Sequence, residues 1–168
     1  MNVKRILVWG VVEGLAVLGL TQCLVACRER AEEPAPRIVN IINFVRQTEP
    51  RPVNISDEDL FLTTLRQVEL LEKHRLRGTF LLQYDALLNP RYQELMRRAL
   101  KEGSEVGGWW EITQPHVEAA GMTWRGAYPW DWHANVGFST GYTPEEREKL
   151  VDVYMAEFKK IFGAYPTA

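Results

Sequence analysis

The chain has 168 residues, with 20 Lys plus Arg against 22 Asp plus Glu and a net charge of −2 at pH 7. That balance leaves no basic footprint and excludes nucleic-acid binding of the usual electrostatic kind. There is no Gly-rich phosphate loop, no Ser nucleophile elbow and no Cys-His pair, which removes nucleotide binding and the common hydrolase mechanisms.

The N-terminus opens with Lys4 and Arg5, continues as "ILVWGVVEGLAVLGLTQCLVA" and closes on Cys27. A short positive region followed by an apolar run is the layout of a secretory signal. Glu13 opposes it, at about 2.5–3.5 kcal/mol in the middle of an inserted helix. "LVAC", Leu24 to Cys27, resembles a bacterial lipobox, which implies cleavage before Cys27 and acylation of its thiol. The alternative is an uncleaved membrane helix, since about 20 apolar residues suffice to span a bilayer. Either way the chain is expected at the bacterial cell envelope, outside the cytoplasmic membrane, with the lipid bilayer as a partner. Residues 1–26 are read as the signal, and 27–37, charged and proline-bearing, as a tether. Residues 38–168 are read as one domain, long enough to bury a core.

"RIVNIINFV" is β-branched and apolar and predicts the first strand. A loop with two prolines follows. Ser56 with Asp59 three residues on resembles a capping box, and Leu60, Phe61, Leu65, Val68 and Leu71 recur at helical spacing. Gly78 is expected to end that helix. "GTFLLQY" predicts the second strand. Asn89–Pro90 opens the next helix, with Tyr92, Leu95, Met96, Ala99 and Leu100 on one face and Gly103 just past its end. "SEVGGWW" predicts the third strand. From Glu111 to Gly141 no period is visible. Thr143, Pro144 and Glu146 mark a final helix start, Leu150, Val151, Tyr154, Phe158 and Ile161 form its stripe, and Gly163 stops it.

Strands alternating with helices predict an α/β fold: parallel strands with crossover helices. Unbroken apolar strands suggest a sheet covered on both faces. Ligands in such folds lie at the C-terminal ends of the strands. That edge would carry residues 43–51, 83–85 and the aromatic stretch from Trp109 to His133.

"RGTFLLQYDALL" and "LMRRALKEGSEVGGWW" resemble the second strand and the following helix and strand of polysaccharide deacetylases. The resemblance implies a partial (β/α) barrel of the glycoside hydrolase/deacetylase type over residues 38–168. It also implies a polysaccharide or oligosaccharide as substrate. Members of that family hold a divalent metal through an Asp ending strand one and a His-x-x-x-His segment after strand three. Here Glu49 is the only acid between Arg37 and Ser56, and Trp109 and Thr113 stand at the two histidine positions. Tryptophan offers an N–H and no lone pair. No metal site and no cofactor is therefore carried over. A barrel of this kind usually needs more than about 200 residues, so the chain reads as the N-terminal portion of a longer protein. A small domain that stands alone or dimerises is the alternative.

Five of the six tryptophans lie between Glu105 and His133. Near a strand edge, Trp109, Trp110, Trp124 and Trp132 suit sugar rings, whose hydroxyls need partners such as His116, Arg125 and His133. The bland reading is a satellite core beneath a long loop. Glu111 follows the third strand and is a candidate general acid, with Asp131 as its opposite number, because glycoside hydrolysis uses two carboxylates. Arg125 is the obvious salt-bridge partner for either carboxylate. Asn43, Arg46 and Arg51 follow strand one and are candidate substrate contacts. Asp131, His133 and His116 are ordinary metal-ligand types at a nonspecific spacing.

These readings converge on a lipid-anchored, carbohydrate-active domain that hydrolyses or modifies polysaccharide without the deacetylase metal site. The alternative is a non-catalytic glycan-binding or structural lipoprotein domain.

Overall fold

The computed structural model describes residues 38–49 and 54–168. The signal, the tether, Cys27 and Arg51 lie outside the described residues. In chain order the elements are β1 (Ile42–Val45), α1 (Asp57–Lys73), β2 (Thr79–Leu82), α2 (Tyr84–Leu88), α3 (Pro90–Lys101), β3 (Glu105–Gly108), α4 (Gln114–Ala119), a 3-10 turn (Ser139–Gly141) and α5 (Pro144–Phe162).

The three strands are parallel and ordered β1-β2-β3. Asn43 pairs with Phe80 and Phe80 with Val106; Val45 pairs with Leu82 and Leu82 with Gly108. Strand side chains alternate, so these residues share one face. That face is the core: Val45, Phe80, Leu82 and Val106 pack with Val68 and Leu71 of α1, Tyr92, Leu95 and Met96 of α3, and Tyr154 and Phe158 of α5. The opposite face carries Ile42 and Phe44, 51% and 58% exposed. Among the described residues helices thus cover one face only, while Ala168 lies over Gly107 on the other and accepts from Gly108 N at 3.1 Å. Unbroken apolar strands cannot by themselves tell two-sided burial from one buried and one bare face. The described strands form an open three-stranded sheet with two edges.

Local chemistry sets the helix ends. The capping box at Ser56 is formed: Asp59 N donates to Ser56 Oγ at 3.2 Å and Ser56 N to Asp59 Oδ2 at 3.0 Å. Thr143 and Glu146 repeat the device at α5, with distances of 2.9 and 3.2 Å. Asn89 caps α3 by accepting from Arg91 N, and Gly163 ends α5 in the left-handed region. α1 ends differently from expectation. It stops at Lys73, and Arg75, not Gly78, takes the positive φ. Gly78 serves another purpose: a Cβ there would come within 2.8 Å of Leu71 Cδ1 and 3.2 Å of Ile41 O. It lets α1 lie close against the sheet.

Two elements depart from the sequence reading. The segment after β2 turns at once into α2, with Tyr84 and Leu87 buried. The aromatic stretch contains α4, and the 3-10 turn follows it before α5. The stretch folds back on itself: Ile112 N donates to Gly137 O and Gln114 N to Pro129 O, both at 2.9 Å. Ile112, Val117, Tyr142 and Leu150 make a second small core, with Trp110, Met122 and Trp124 packed on it.

Candidate functional site

β1, β2 and β3 end at Val45, Leu82 and Gly108, and the pairing runs one residue further. Gln83 N donates to Val45 O at 2.9 Å and Trp109 N to Leu82 O at 2.8 Å. Arg46, Gln83 and Trp109 therefore leave the three strand ends side by side. Gln83 is fully buried, and its Nε2 donates to Glu111 Oε2 at 2.7 Å. Arg46 Nη2 lies 3.9 Å from the same oxygen, while Arg46 Nη1 donates to Glu49 Oε2 at 2.6 Å. The Arg46 guanidinium also lies over Trp109, 4.6 Å from the ring centroid, and over Trp130, at 5.0 Å. A planar, weakly hydrated cation can meet two carboxylates in its plane and indoles across its faces. Tyr92 Oη steadies the backbone by donating to Arg46 O at 3.1 Å.

This cluster joins all three strand ends to the aromatic stretch. Arg46, Glu111 and Trp109 were legible as candidates. Gln83 and Glu49 were not, and Gln83 had a signal: a polar residue closing the apolar run "TFLL". The side chains of Arg46 and Glu111 are 17% and 19% exposed, so the cluster sits just below the surface.

Other candidates lie elsewhere. Asn43 sits mid-strand, and its buried, unpartnered amide nitrogen lies near Gly78, at the opposite end of β2 from this edge. His116 is inside: 1% exposed, stacked on Tyr84 at 4.5 Å, with Nε2 2.8 Å from Leu150 O. Burial pushes its pKa down to about 4, so it is a neutral core residue rather than a ligand contact. Trp110 belongs to both cores, and Trp124 donates its N–H to Tyr128 O at 2.9 Å. Arg125 pairs with Glu146, donates to Gly141 O at 2.8 Å and lies over Tyr142. It ties the stretch to α5.

Asp131 is 5% exposed. Its carboxylate accepts from Ala127 N at 3.0 Å, from His133 N at 3.1 Å and from the His133 ring. The Ala127 amide and the His133 ring hold its pKa below the ordinary value. It is a clasp that closes residues 127–133 into a turn. His133 stacks on Trp132, which is 48% exposed. Trp132 is the ring of the predicted wall that faces solvent most; Trp109 is held between Phe44, at 4.8 Å, and Arg46.

The deacetylase metal position does not fit these residues. Trp109 stacks against Arg46, a cation, and Thr113 is 1% exposed at the N-cap of α4. Among the described residues no three His, Cys, Asp or Glu side chains come together as a metal site. Among the same residues no helix is long and apolar enough to cross a membrane.

No family model matches the chain, and no curated protein matches it. A solved structure of the chitin deacetylase from the fungal pathogen Colletotrichum lindemuthianum aligns with it at a TM-score of 0.40 and 12% identity. The alignment covers 73% of this chain and 41% of that one, so the chain spans less than half of that protein's length. A likeness this weak assigns neither family nor activity.

Proposed function

We propose that residues 38–168 form the carbohydrate-acting part of an envelope lipoprotein, with polysaccharide engaged at the C-terminal edge of the sheet. The observation that carries the reading is the Gln83–Glu111–Arg46 cluster. A carboxylate is held in one position by a buried amide and a guanidinium, in reach of solvent, beside indole rings. Such a group, oriented at a strand end, is where α/β folds place their chemistry. A carboxylate facing a guanidinium suits a base that takes a proton from water better than the acid expected from sequence. The barrel, the signal, acylation of Cys27 and the place outside the cytoplasmic membrane belong to the same proposal.

A second reading keeps the glycan and drops the chemistry. Asp131, the expected second carboxylate, has its oxygens engaged by Ala127 and His133, which favours a binding module. Glu111→Gln separates the two. On soluble polysaccharides, a working Glu111 predicts loss of at least about 100-fold in turnover with binding kept, the scale of general acid–base catalysis. Equal turnover in the variant and the wild type would overturn the catalytic reading. Binding without turnover in both would support the binding module. For the anchor, Cys27→Ser is expected to move the protein from the membrane fraction to the soluble envelope fraction; unchanged membrane fractionation would sink the lipoprotein reading.

A further inference from the structure

A cleft of about 420 Å³ opens beside the Arg46 cluster, with Gln47 and Thr48 on one side, Asp85 in its wall, and Pro115, Tyr128 and Trp130 around it. Asp85 is the second residue of α2, a helix of five residues. Its Oδ1 accepts from Ala86 N at 2.9 Å. Among the described residues it forms no ion pair. Desolvation raises its pKa to about 6 against the lowering pull of the Ala86 and Asp85 amides, while Asp57 repels its charge and Arg46 attracts it more weakly. Tyr92 and Tyr154 are the other titrating groups that feel the Asp85 charge. At neutral pH Asp85 is therefore an anion held by the Ala86 amide, attracted by Arg46 at a distance but in contact with no cation among the described residues. One of the remaining walls is of the kind that receives cations. Tyr128 is 40% exposed at the cleft, whereas Trp130 is 6% exposed and its ring already carries the Arg46 guanidinium; an exposed ring face attracts ammonium groups where water is partly excluded.

We propose that this cleft binds an organic ammonium group, with Asp85 as its counter-ion and Tyr128 as its exposed aromatic wall. Gln47 is already oriented, its Oε1 accepting from Asn89 Nδ2 at 3.0 Å. Taken with the reading of the adjoining edge as a glycan site, on which this extension rests, the ammonium is that of an unacetylated amino-sugar residue. The cation of such a residue is a primary amine on a sugar carbon in its protonated form.

The test is calorimetry at pH 7 with a glucosamine tetramer, an N-acetylglucosamine tetramer and butylammonium, on the wild-type protein and on Asp85→Asn and Tyr128→Ala. Butylammonium binding is read at the same time from the NMR shift of the Asp85 carboxyl carbon. The glucosamine tetramer is expected to bind about tenfold tighter than its acetylated counterpart, the scale of one desolvated charge pair with ring contacts. Asp85→Asn should erase that preference and Tyr128→Ala should weaken it; lowering the pH through about 6 should weaken butylammonium binding to the wild type, since butylammonium keeps its charge while Asp85 loses its own. Equal binding of the two tetramers, or a preference that survives Asp85→Asn, overturns the proposal. If neither tetramer binds and butylammonium still shifts the Asp85 resonance, the glycan reading fails and the ammonium site stands. Silence with all three probes overturns both.

Discussion

Replacing Arg46 with alanine would leave Glu49 and Glu111 without a guanidinium both now approach, and would uncover one face of Trp109. Removing one partner from a partly buried charged cluster costs more than a surface pair is worth. Arg46→Ala is expected to lower stability by about 1–3 kcal/mol, read from chemical denaturation, and Arg46→Lys to recover less than half of the loss because a point charge lacks the planar fork. Full recovery by lysine would mean that charge alone matters. Asp131→Asn should loosen the turn at residues 127–133 and speed amide exchange at Ala127 and His133, the two N–H groups its carboxylate holds. At this scale the sequence was half legible. Arg46 and Glu111 could be named because charged residues directly after apolar strands fall at the mouth of a parallel sheet. His116 and Asp131 misled, because a histidine or aspartate in a segment without period gives no sign of whether it faces inward or outward. Only the docking of α4 against α5 and the tight turn at Ala127 decided that. Asp85 was placed at the strand-end edge with Gln83 but not singled out, because its significance lies in the cleft around it, which residues distant in sequence supply.

The helix ends were the most readable elements, since a cap is a short-range device. The Ser56 and Thr143 boxes form as their sequences predict. Thr143→Ala should destabilise the fold by about 1 kcal/mol, and Thr143→Ser by almost nothing; thermal melts of the two variants check this. α4 was missed because six residues carry too little period. Its signal was nevertheless present in Thr113 and Pro115, an N-cap type and a proline in the first turn. Gly78 was assigned the wrong reason. It is required by the approach of Leu71 and Ile41 to β2, not by a left-handed helix end. Gly78→Val should therefore cost more than a change of propensity alone, about 2 kcal/mol or more. A loss below about 0.5 kcal/mol would show that the neighbouring chain gives way.

Across the molecule, the order and parallel direction of the strands were legible from the alternation of strand and helix, whereas the single helical layer was not. β2 is paired on both sides, so its amides should exchange most slowly and those of β1 faster. Stability against pH also belongs to the whole molecule, because two desolvated groups act in opposite directions. His116 titrates near 4 in the fold against 6.5 when free. The unfolded chain takes up that proton first, so stability falls as pH drops through this window. Asp85 titrates near 6 against 3.8. Here the folded chain takes up the proton first, so stability falls as pH rises through that window. Each effect is worth roughly 3 kcal/mol over its full range, and between pH 4 and 6 they largely offset. Asp85→Asn removes the second effect. That variant should melt several degrees above the wild type at pH 7, and the advantage should vanish near pH 4. A variant that tracks the wild type at every pH would contradict the assignment of Asp85 as a desolvated acid with a raised pKa.

Polysaccharide bound as proposed at the C-terminal edge of the sheet would shield the backbone amides there. Hydrogen exchange with and without a bacterial cell-wall polysaccharide reads those amides one segment at a time. Exchange should slow only at residues 46–48, 83–86 and 109–112 and along the flank from Tyr128 to His133. Protection at α1 and α3 instead, or no change at saturating glycan, would contradict the proposal.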